Sequence, residues 1–221
     1  MPATPELTPA TQDYLKAIYA LETAGERATT SALAARMGVS APSATAMAKR
    51  LAELSLVERA PYRGVVLTDE GRQRALEMLR HHRLLERYLA DRLGLSLDEV
   101  HAEADRLEHA LSEELEAKID AELGFPTHDP HGDPIPDREL RLVAGGERTL
   151  AELEPGERGS VSRVPDGDPD LLRYLAELGL VPGSDVEVVA LAPFAGPVTV
   201  RTQSGAHAIS RDLADRIGAA A

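Results

Sequence analysis

A glycine turn between two amphipathic segments constrains the fold of the N-terminal region most strongly. Residues 29–37 and 41–54 each repeat apolar side chains at helical spacing, and Gly38-Val39-Ser40 separates them. Ser40 is a favourable N-cap, and Pro42 stands in the first turn of the second segment, where proline is tolerated. Helix, glycine-containing turn and helix in this order predict a helix-turn-helix.

Two short apolar stretches after this helix pair predict a β-hairpin. Leu56–Arg59 and Val65–Thr68 flank the turn residues Pro61-Tyr62-Arg63-Gly64. Another amphipathic helix, from Thr8 to Leu21, precedes the pair. The N-terminal region is therefore predicted to be a winged helix-turn-helix over residues 1–70.

The charge distribution agrees with a DNA-binding role for this region. Between residues 27 and 63 there are six basic and two acidic residues, a local charge of +4, whereas the chain as a whole carries −13. A local basic surface on an acidic protein is compatible with electrostatically steered DNA binding. Because the recognition helix begins without an arginine, we expect modest direct readout supported by DNA shape and by two half-sites. The predicted DNA contacts are Arg27, Ser40, Pro42, Ser43, Thr45, Ala46, Lys49, Arg50 and Arg63.

A cluster of imidazoles and carboxylates marks the next region, which is predicted to form two long helices. The helices run from Glu70 to Leu93 and from Ser96 to about Leu123, and their apolar content predicts a homodimer interface. In the second helix, four residues recur at i, i+4, i+7 and i+8 and are predicted to share one half-buried face. They are His101, Asp105, Glu108 and His109, with His82 and Glu86 on the helix before them. Because unpaired buried charge is costly, a divalent cation is their simplest partner.

The remainder of the chain predicts a separate β-rich domain after a proline-rich linker. Four prolines between residues 125 and 137 exclude helix and central strand there, and His128 and His131 in this linker are expected to be exposed to solvent. From about residue 140, short strands and one short helix predict a small barrel. The expected fold is mainly α with a small β domain, divided into residues 1–70, 71–140 and 141–221.

The absence of particular residues and segments narrows the class of protein. The chain has no cysteine, which excludes disulfides, thiolate zinc sites and cysteine nucleophiles. Its N-terminus lacks the pattern of a signal peptide, and no apolar run reaches about 18 residues, the length that a membrane span needs. A cytoplasmic protein without a membrane partner is therefore expected.

The joint order of these motifs resembles the diphtheria toxin repressor family of metal-dependent bacterial transcription regulators. The resemblance covers nearly the whole chain and matches the long form with a C-terminal SH3-like FeoA domain. It rests on the winged helix-turn-helix together with His81-His82-Arg83-Leu84-Leu85-Glu86-Arg87, the segment from Val100 to His109, the linker Asp129–Pro136, Leu178–Gly183 and Pro193–Pro197.

This resemblance implies two metal sites per protomer and a role as a metal-activated repressor. The primary site matches Asp13, Asp105, Glu108 and His109, and the ancillary site matches His82, Glu86 and His101. In the longer members the SH3-like domain also contributes to the ancillary site, and Glu157 is the candidate here. The implied partners are double-stranded operator DNA at metal uptake or homeostasis genes and a second copy of the chain, without a small-molecule substrate.

Two departures from the family pattern bear on the metal. Iron-responsive members carry methionine and cysteine at the positions of Asp13 and Asp105, and replacing sulfur by carboxylate oxygen favours Mn²⁺, with Fe²⁺ as the alternative. Short manganese regulators place a glutamate where Lys16 stands. Because a cation cannot be a ligand, we expect two separated sites rather than a close metal pair.

Two functions of other classes remain open from the sequence. A His/Asp/Glu cluster with an open metal position is compatible with phosphoester hydrolysis. A metal-buffer or interaction protein with a degenerate helix-turn-helix is the other alternative. The ligand positions lie among leucines and alanines, and no nucleophile or glycine-rich loop accompanies them. The regulator is therefore preferred over the hydrolase.

Overall fold

The computed structural model describes residues 7–60, 64–142, 146 and 148–220. The chain divides into two compact units. The described residues within 1–81, 108–110 and 136–141 form one unit, and those within 82–107, 111–135 and 142–221 form the other.

The first unit contains the predicted helix-turn-helix. Helices α1 (Pro9–Thr23), α2 (Thr30–Met37) and α3 (Ala41–Glu53) are each preceded by a hydroxyl N-cap. The side chains of Thr8, Thr29 and Ser40 accept hydrogen bonds from backbone amides in the first turn of these helices. Gly38 ends α2 at φ +63°, a left-handed conformation that suits glycine. The core of this unit is aliphatic and includes Leu15, Ile18, Leu33 and Leu51.

The predicted wing is an antiparallel hairpin of β1 (Val57–Ala60) and β2 (Gly64–Leu67). Val65 N donates a 3.1 Å hydrogen bond to Ala28 O, which attaches the hairpin to the loop before α2. Gly64 allows this approach, because a Cβ atom there would lie 2.2 Å from Ala28 O. The long helix α4 (Asp69–Leu93) follows the hairpin.

The structure corrects the prediction of one helix from Ser96 to Leu123. Helix α5 (Leu97–Leu107) ends early, Glu108–Ala110 form a 3-10 turn, and α6 (Glu113–Glu122) begins after Ser112. Ser112 has an extended backbone, and its side chain accepts a hydrogen bond from Leu115 N. The acidic first turn of α6 stabilises this helix start further. Glu108 and His109 therefore do not continue the helical face that carries His101 and Asp105.

The second unit joins an aliphatic helical core to a β domain. Leu84, Leu89, Val100, Ala104 and Ile119 are among the buried side chains between its helices. A six-stranded antiparallel sheet has the order β3-β8-β4-β5-β6-β7. Its strands are β3 (Arg148–Thr149), β4 (Arg158–Arg163), β5 (Asp185–Leu191), β6 (Val198–Thr202), β7 (Gly205–Ile209) and β8 (Gly218–Ala220), with helices α7 (Pro169–Glu177) and α8 (Arg211–Ala214).

The predicted fold class is confirmed: the chain is mainly α with a small antiparallel β domain at its C-terminal end. Among the residues that the structure describes, no helix has the length and apolar character needed to cross a bilayer.

Candidate metal centres

One cluster of metal-ligating side chains lies in the first unit, between α1 and the 3-10 turn. We call Asp13, Glu108 and His109 the Asp13 cluster, and one donor atom from each lies within 4.8 Å of the others. His109 Nε2 is 3.1 Å from Asp13 Oδ1 and 3.7 Å from Glu108 Oε1. Two carboxylates and an imidazole nitrogen are ligands suited to a divalent first-row metal. The structure thus brings three of the four predicted primary ligands together.

Gln12, which the sequence did not single out, orients the imidazole of this cluster. His109 Nδ1 lies 2.7 Å from Gln12 Oε1. When Nδ1–H donates to this amide oxygen, Nε2 keeps its lone pair and faces the two carboxylates. The hydrogen bond therefore directs His109 Nε2 toward the two carboxylates.

Lys16 contacts the same cluster through its ammonium group. Its Nζ atom lies 2.7 Å from Glu108 Oε1 and 2.8 Å from Glu108 Oε2, so it bridges both oxygens of the carboxylate. The Glu108 side chain is 0% exposed and that of Lys16 is 19% exposed. A buried carboxylate needs a positive partner, and Lys16 provides one.

The second cluster is built around Glu86, which is fully buried in the second unit. Glu86 Oε1 lies 2.9 Å from His82 Nε2 and 3.0 Å from His101 Nδ1. The same two imidazole nitrogens are 3.1 Å apart. The three predicted ancillary ligands therefore direct their donor atoms to one point.

Two further residues, Asp129 and His131, complete what we call the Glu86 cluster. Glu86, Asp129 and His131 are all buried, and they offer ligand atoms within 4.8 Å of one another. His131 Nδ1 is 3.6 Å from Glu86 Oε2. His131 Nε2 lies 3.0 Å from Leu97 O, so Nε2–H donates to that carbonyl and Nδ1 faces the cluster.

Buried polar atoms at this point fit a bound cation. Within the described part of the chain, Glu86 Oε2, Asp129 Oδ2 and His131 Nδ1 are buried and form no hydrogen bond. Charged groups do face them: Arg83 Nε lies 3.5 Å from Asp129 Oδ2, and His131 Nδ1 lies 3.6 Å from Glu86 Oε2. Buried polar atoms in folded proteins are nearly always hydrogen-bonded, so three exceptions at one place are compatible with a bound cation as their common partner. Because all the donors are nitrogen or carboxylate oxygen, the cluster suits a divalent cation of intermediate to hard character.

The pKa values in the Glu86 cluster reflect the crowding of charge. Burial opposes ionisation of Glu86, but His101, His131 and His82 outweigh it and hold the pKa of this carboxyl well below its usual range. Burial also opposes the charged form of His131, yet the Glu86 carboxylate raises its pKa to about 9. Burial, with the negative charge of Glu86, raises the pKa of Asp129 to about 7. The three groups therefore titrate as one interacting set.

The expectation that His131 is exposed is wrong, whereas His128 is exposed as expected. The Asp129 side chain folds the linker: Asp129 Oδ1 accepts 2.9 Å hydrogen bonds from the amides of His131 and Asp133. Val164 N donates to His131 O, and Gly132 packs so closely on β4 that a Cβ atom there would lie 1.9 Å from Ser162 O. These contacts bury His131, although the prolines and the glycine around it predict an exposed loop.

The predicted ligands Asp105 and Glu157 each have described partners. Asp105, half-exposed on α5, has its Oδ1 atom 3.3 Å from His82 Nδ1 and its Oδ2 atom 3.7 Å from His101 Nε2. These two contacts involve imidazoles of the Glu86 cluster. Glu157 forms an ion pair with Arg148, at 2.9 Å, and accepts a hydrogen bond from Glu154 N. Arg148 lowers the pKa of this carboxyl, and its two contacts account for its position in the turn.

The helix α3 presents one exposed face and one buried face. Ala44, Ala48 and Leu51 are buried, whereas the predicted DNA contacts on this helix are exposed. The exposed side chains are Pro42, Ser43, Thr45, Ala46, Lys49 and Arg50, with Ser40 at the N-cap and Arg27 exposed before α2. Arg63, the predicted wing contact, lies outside the described residues.

Comparison with known proteins identifies the family. Family models match over residues 6–65 (iron dependent repressor, N-terminal DNA binding domain), 68–137 (iron dependent repressor, metal binding and dimerisation domain) and 148–220 (FeoA domain). The iron-dependent repressor IdeR of Mycobacterium bovis is 36% identical over 196 residues, which cover 83% of this chain and 85% of that protein. The chain belongs to the iron-dependent repressor family.

Other members of this family are similar over the same extent. The diphtheria toxin repressor of Corynebacterium efficiens is 38% identical over 198 residues, covering 83% of this chain and 84% of the relative. A solved manganese-dependent transcriptional repressor in complex with manganese is 42% identical and has a TM-score of 0.85. The match covers 96% of this chain and 99% of the solved chain. The structure of the manganese regulator SloR is 31% identical, with a TM-score of 0.80, and the match covers 97% of this chain and 99% of the SloR chain.

Membership in the iron-dependent repressor family decides between the function classes. The similar proteins are metal-dependent transcriptional repressors. The family consists of DNA-binding regulators, so the phosphoester hydrolase alternative is excluded and the regulator is confirmed. Some of these relatives are named for iron and others for manganese.

Proposed function

We propose that this protein is a homodimeric repressor that Mn²⁺ activates to bind operator DNA at genes of metal uptake or homeostasis. The Asp13 cluster carries this proposal, because its donors come from α1, next to the helix-turn-helix, and from the 3-10 turn that follows α5. A cation held there joins two segments that are far apart in sequence. The proposal implies a cytoplasmic protein with the domains 1–70, 71–140 and 141–221.

We propose two metal sites per protomer. The primary site uses Asp13, Glu108 and His109, with Asp105 retained as the fourth ligand from the family resemblance. The ancillary site uses His82, Glu86 and His101, and we add Asp129 and His131 because their buried donor atoms face Glu86. Glu157 is left out of the set because, among the described residues, it belongs to no group of His, Asp and Glu side chains that could hold a metal ion.

The chemistry of the donors favours Mn²⁺ over Fe²⁺. The chain has no cysteine, and every proposed ligand atom is a carboxylate oxygen or an imidazole nitrogen. Such donors suit Mn²⁺ and offer no soft sulfur ligand. The 42% identity to a repressor solved with manganese supports the same choice.

The proposed mechanism is linkage between the metal site and the DNA-binding surface. A divalent cation supplies the positive charge that lets two carboxylates and an imidazole share one centre. Asp13 holds α1 to Glu108 and His109, and this fixes the helix-turn-helix for binding. DNA and metal then favour the same conformation and strengthen each other reciprocally, with a typical coupling of about 1–3 kcal/mol.

The exposed face of α3 is the proposed DNA interface. Arg50 and Lys49 contact phosphates, and the small residues Pro42, Thr45 and Ala46 face the base edges. Dimerisation is supported by large apolar side chains that are exposed in and beside the helices of the second unit, namely Leu93, Leu107, Leu115 and Phe125.

A binding experiment with two readouts tests the proposal. Mn²⁺ affinity and stoichiometry are measured by calorimetry, and DNA affinity is measured by fluorescence anisotropy on a duplex selected from a random-sequence pool with Mn²⁺ present. Wild-type protein is expected to bind two Mn²⁺ ions per protomer and to bind the duplex only when Mn²⁺ is present. DNA binding that does not depend on metal contradicts the proposal.

Substitution of Asp105 tests to which of the two proposed metal sites this residue belongs. If it belongs to the primary site, Asp105→Ala and Asp13→Ala weaken the same Mn²⁺ binding step. If it belongs to the Glu86 cluster, Asp105→Ala instead weakens the step that His101→Ala also weakens.

Activation by iron is the second candidate, because the relatives IdeR and the diphtheria toxin repressor are 36% and 38% identical over most of the chain. Anaerobic titration with Fe²⁺ in place of Mn²⁺ separates the two. Activation of DNA binding at lower free Fe²⁺ than free Mn²⁺ favours the iron-dependent repressor.

A further inference from the structure

The contact between Lys16 and Glu108 places a fixed positive charge in the Asp13 cluster. The two Nζ–O distances, 2.7 and 2.8 Å, show that one ammonium bridges both oxygens of the carboxylate. Glu108 is fully buried and supplies a ligand atom of the cluster. The ammonium and a metal ion therefore require the same oxygens.

We propose that Lys16 is an internal counter-ion that competes with the metal for Glu108 and so sets the concentration of divalent cation at which the Asp13 cluster fills. This inference rests on the proposed function of the cluster. Two cations cannot approach the same carboxylate from the same side without strong repulsion. In the proposed exchange, Lys16 releases at least one oxygen when Glu108 binds a metal ion.

Lys16 is suited to this exchange because it is partly exposed and sits on a flexible four-carbon chain. It lies one turn after Asp13 on α1, so the helix that brings the competing ammonium also brings a ligand. When the ammonium leaves Glu108 it moves into water, where a charged group is well solvated. Glu108 cannot move in the same way, because its side chain is fully buried.

Population arithmetic gives the size of the effect. The apparent affinity of a site falls by the fraction of molecules in which the site is competent. A minor state is typically populated at about 0.1–10%, so an ion pair that is closed most of the time weakens metal binding at least roughly tenfold. The competition thus raises the metal threshold without changing the ligands.

The test uses Mn²⁺ alone as the probe and measures its free concentration by electron paramagnetic resonance. The full-length His101→Ala variant serves as background, because it weakens the Glu86 cluster and leaves the Asp13 cluster intact. Lys16→Met in this background is expected to bind Mn²⁺ at least tenfold more tightly than the background itself. The metal-free Lys16→Met protein is expected to melt at a lower temperature, since Glu108 loses its partner.

Three variants serve as controls. Lys16→Arg keeps the charge and is expected to retain the low affinity. Lys118→Met removes a lysine whose Nζ is also 2.7 Å from a glutamate, Glu114, but on an exposed surface, and is expected to change nothing. If Lys16→Met does not fold, Lys16→Gln replaces it, and tighter Mn²⁺ binding than the background is again expected.

A spectroscopic measurement follows the displacement of the Lys16 ammonium from Glu108 directly. The chain has only Lys16, Lys49 and Lys118, so few side-chain ammonium signals are expected in ¹⁵N nuclear magnetic resonance. Saturation with diamagnetic Zn²⁺ is expected to move the Lys16 signal toward those of exposed lysines. An unmoved signal, or unchanged or weaker Mn²⁺ binding by Lys16→Met, overturns the inference.

The failure of the inference and that of the proposed function are distinguishable. If His109→Ala in the same background leaves Mn²⁺ binding unchanged, the Asp13 cluster is not a metal site and the proposed function itself fails. If His109→Ala abolishes binding but Lys16→Met does not tighten it, only the competition by Lys16 is excluded.

Discussion

His109 Nε2 lies 3.1 Å from Asp13 Oδ1, although α1 and the 3-10 turn that carry the two residues are far apart in the chain. One imidazole thereby links the first helix to the turn after α5. In the proposed function, a metal ion bound at this contact would link its occupancy to the position of the helix-turn-helix. The same ring is oriented from its other side by Gln12.

Removing the amide of Gln12 is expected to weaken metal binding at the Asp13 cluster. Gln12→Leu abolishes the hydrogen bond to His109 Nδ1 and frees the ring to rotate, which typically costs about 10–100-fold in metal affinity. Calorimetry with Mn²⁺ measures the effect. Gln73→Leu, an exposed glutamine on α4, is the matched control and should bind as wild type. Equal affinities for both variants would remove Gln12 from the site.

Exchanging oxygen for sulfur ligands is expected to shift metal preference. In the double variant Asp13→Met and Asp105→Cys, a thioether and a thiol replace two carboxylates, and softer donors favour Fe²⁺, Co²⁺ or Zn²⁺ over Mn²⁺. The ratio of affinities for Mn²⁺ and Co²⁺, measured by anaerobic competition, checks this. A ratio that stays at its wild-type value would show that these two residues do not determine selectivity.

A methyl group on Gly132 is expected to disturb the Glu86 cluster. Gly132 has φ +95°, and its Cβ would lie 1.9 Å from Ser162 O, so Gly132→Ala must move the linker that carries His131. The Gly132→Ala variant is therefore expected to melt at a lower temperature than wild-type protein and, in calorimetry, to bind Mn²⁺ more weakly.

Gly156→Ala is the control for Gly132→Ala, because Gly156 has φ +93° and open space where the Cβ would lie. Gly156→Ala should lose only about 1–3 kcal/mol of stability through backbone strain and keep its metal affinity. Equal effects of both substitutions on metal binding would mean that the linker does not position His131 for the cluster.

Removing one phosphate contact is expected to weaken DNA binding without affecting metal. Arg50→Ala should reduce the slope of log K against log salt by roughly 0.9 and weaken specific and non-specific binding alike. Arg158→Ala on β4, also an exposed arginine, is the control. A wild-type salt slope for Arg50→Ala, or loss of metal without DNA, would show that α3 does not contact phosphate as proposed.

Local patterns were sufficient to predict the helix-turn-helix and its wing. Ser40, Gly38 and the apolar spacing of α3 act within a few residues, so their effect can be deduced from the sequence alone. The same holds for the alternation of short strands in the β domain. The exposed face of α3 follows directly from its periodicity.

The break after Leu107 was missed because the apolar spacing continues through it and no proline or glycine marks it. The available signal was Ser112 followed by two glutamates, which is typical of a helix start. The error matters for the site, since Glu108 and His109 reach Asp13 because they leave the helical face.

The burial of His131 was not predictable from local pattern. It depends on the Asp129 carboxylate satisfying linker amides and on the close approach of Gly132 to β4, both of which are tertiary contacts. Composition alone favours an exposed loop for Asp-Pro-His-Gly-Asp, and here the folded environment overrides it.

The most direct test of the central claim is a titration of DNA binding with Mn²⁺, comparing wild-type protein with His109→Ala. The DNA is the duplex selected from the random-sequence pool, labelled for fluorescence anisotropy. The account predicts that saturating Mn²⁺ tightens wild-type binding by about 5–150-fold, the usual span of allosteric coupling, and that His109→Ala remains weak at every Mn²⁺ concentration while still folded. Equal tightening of both proteins, or none in the wild type, would contradict it.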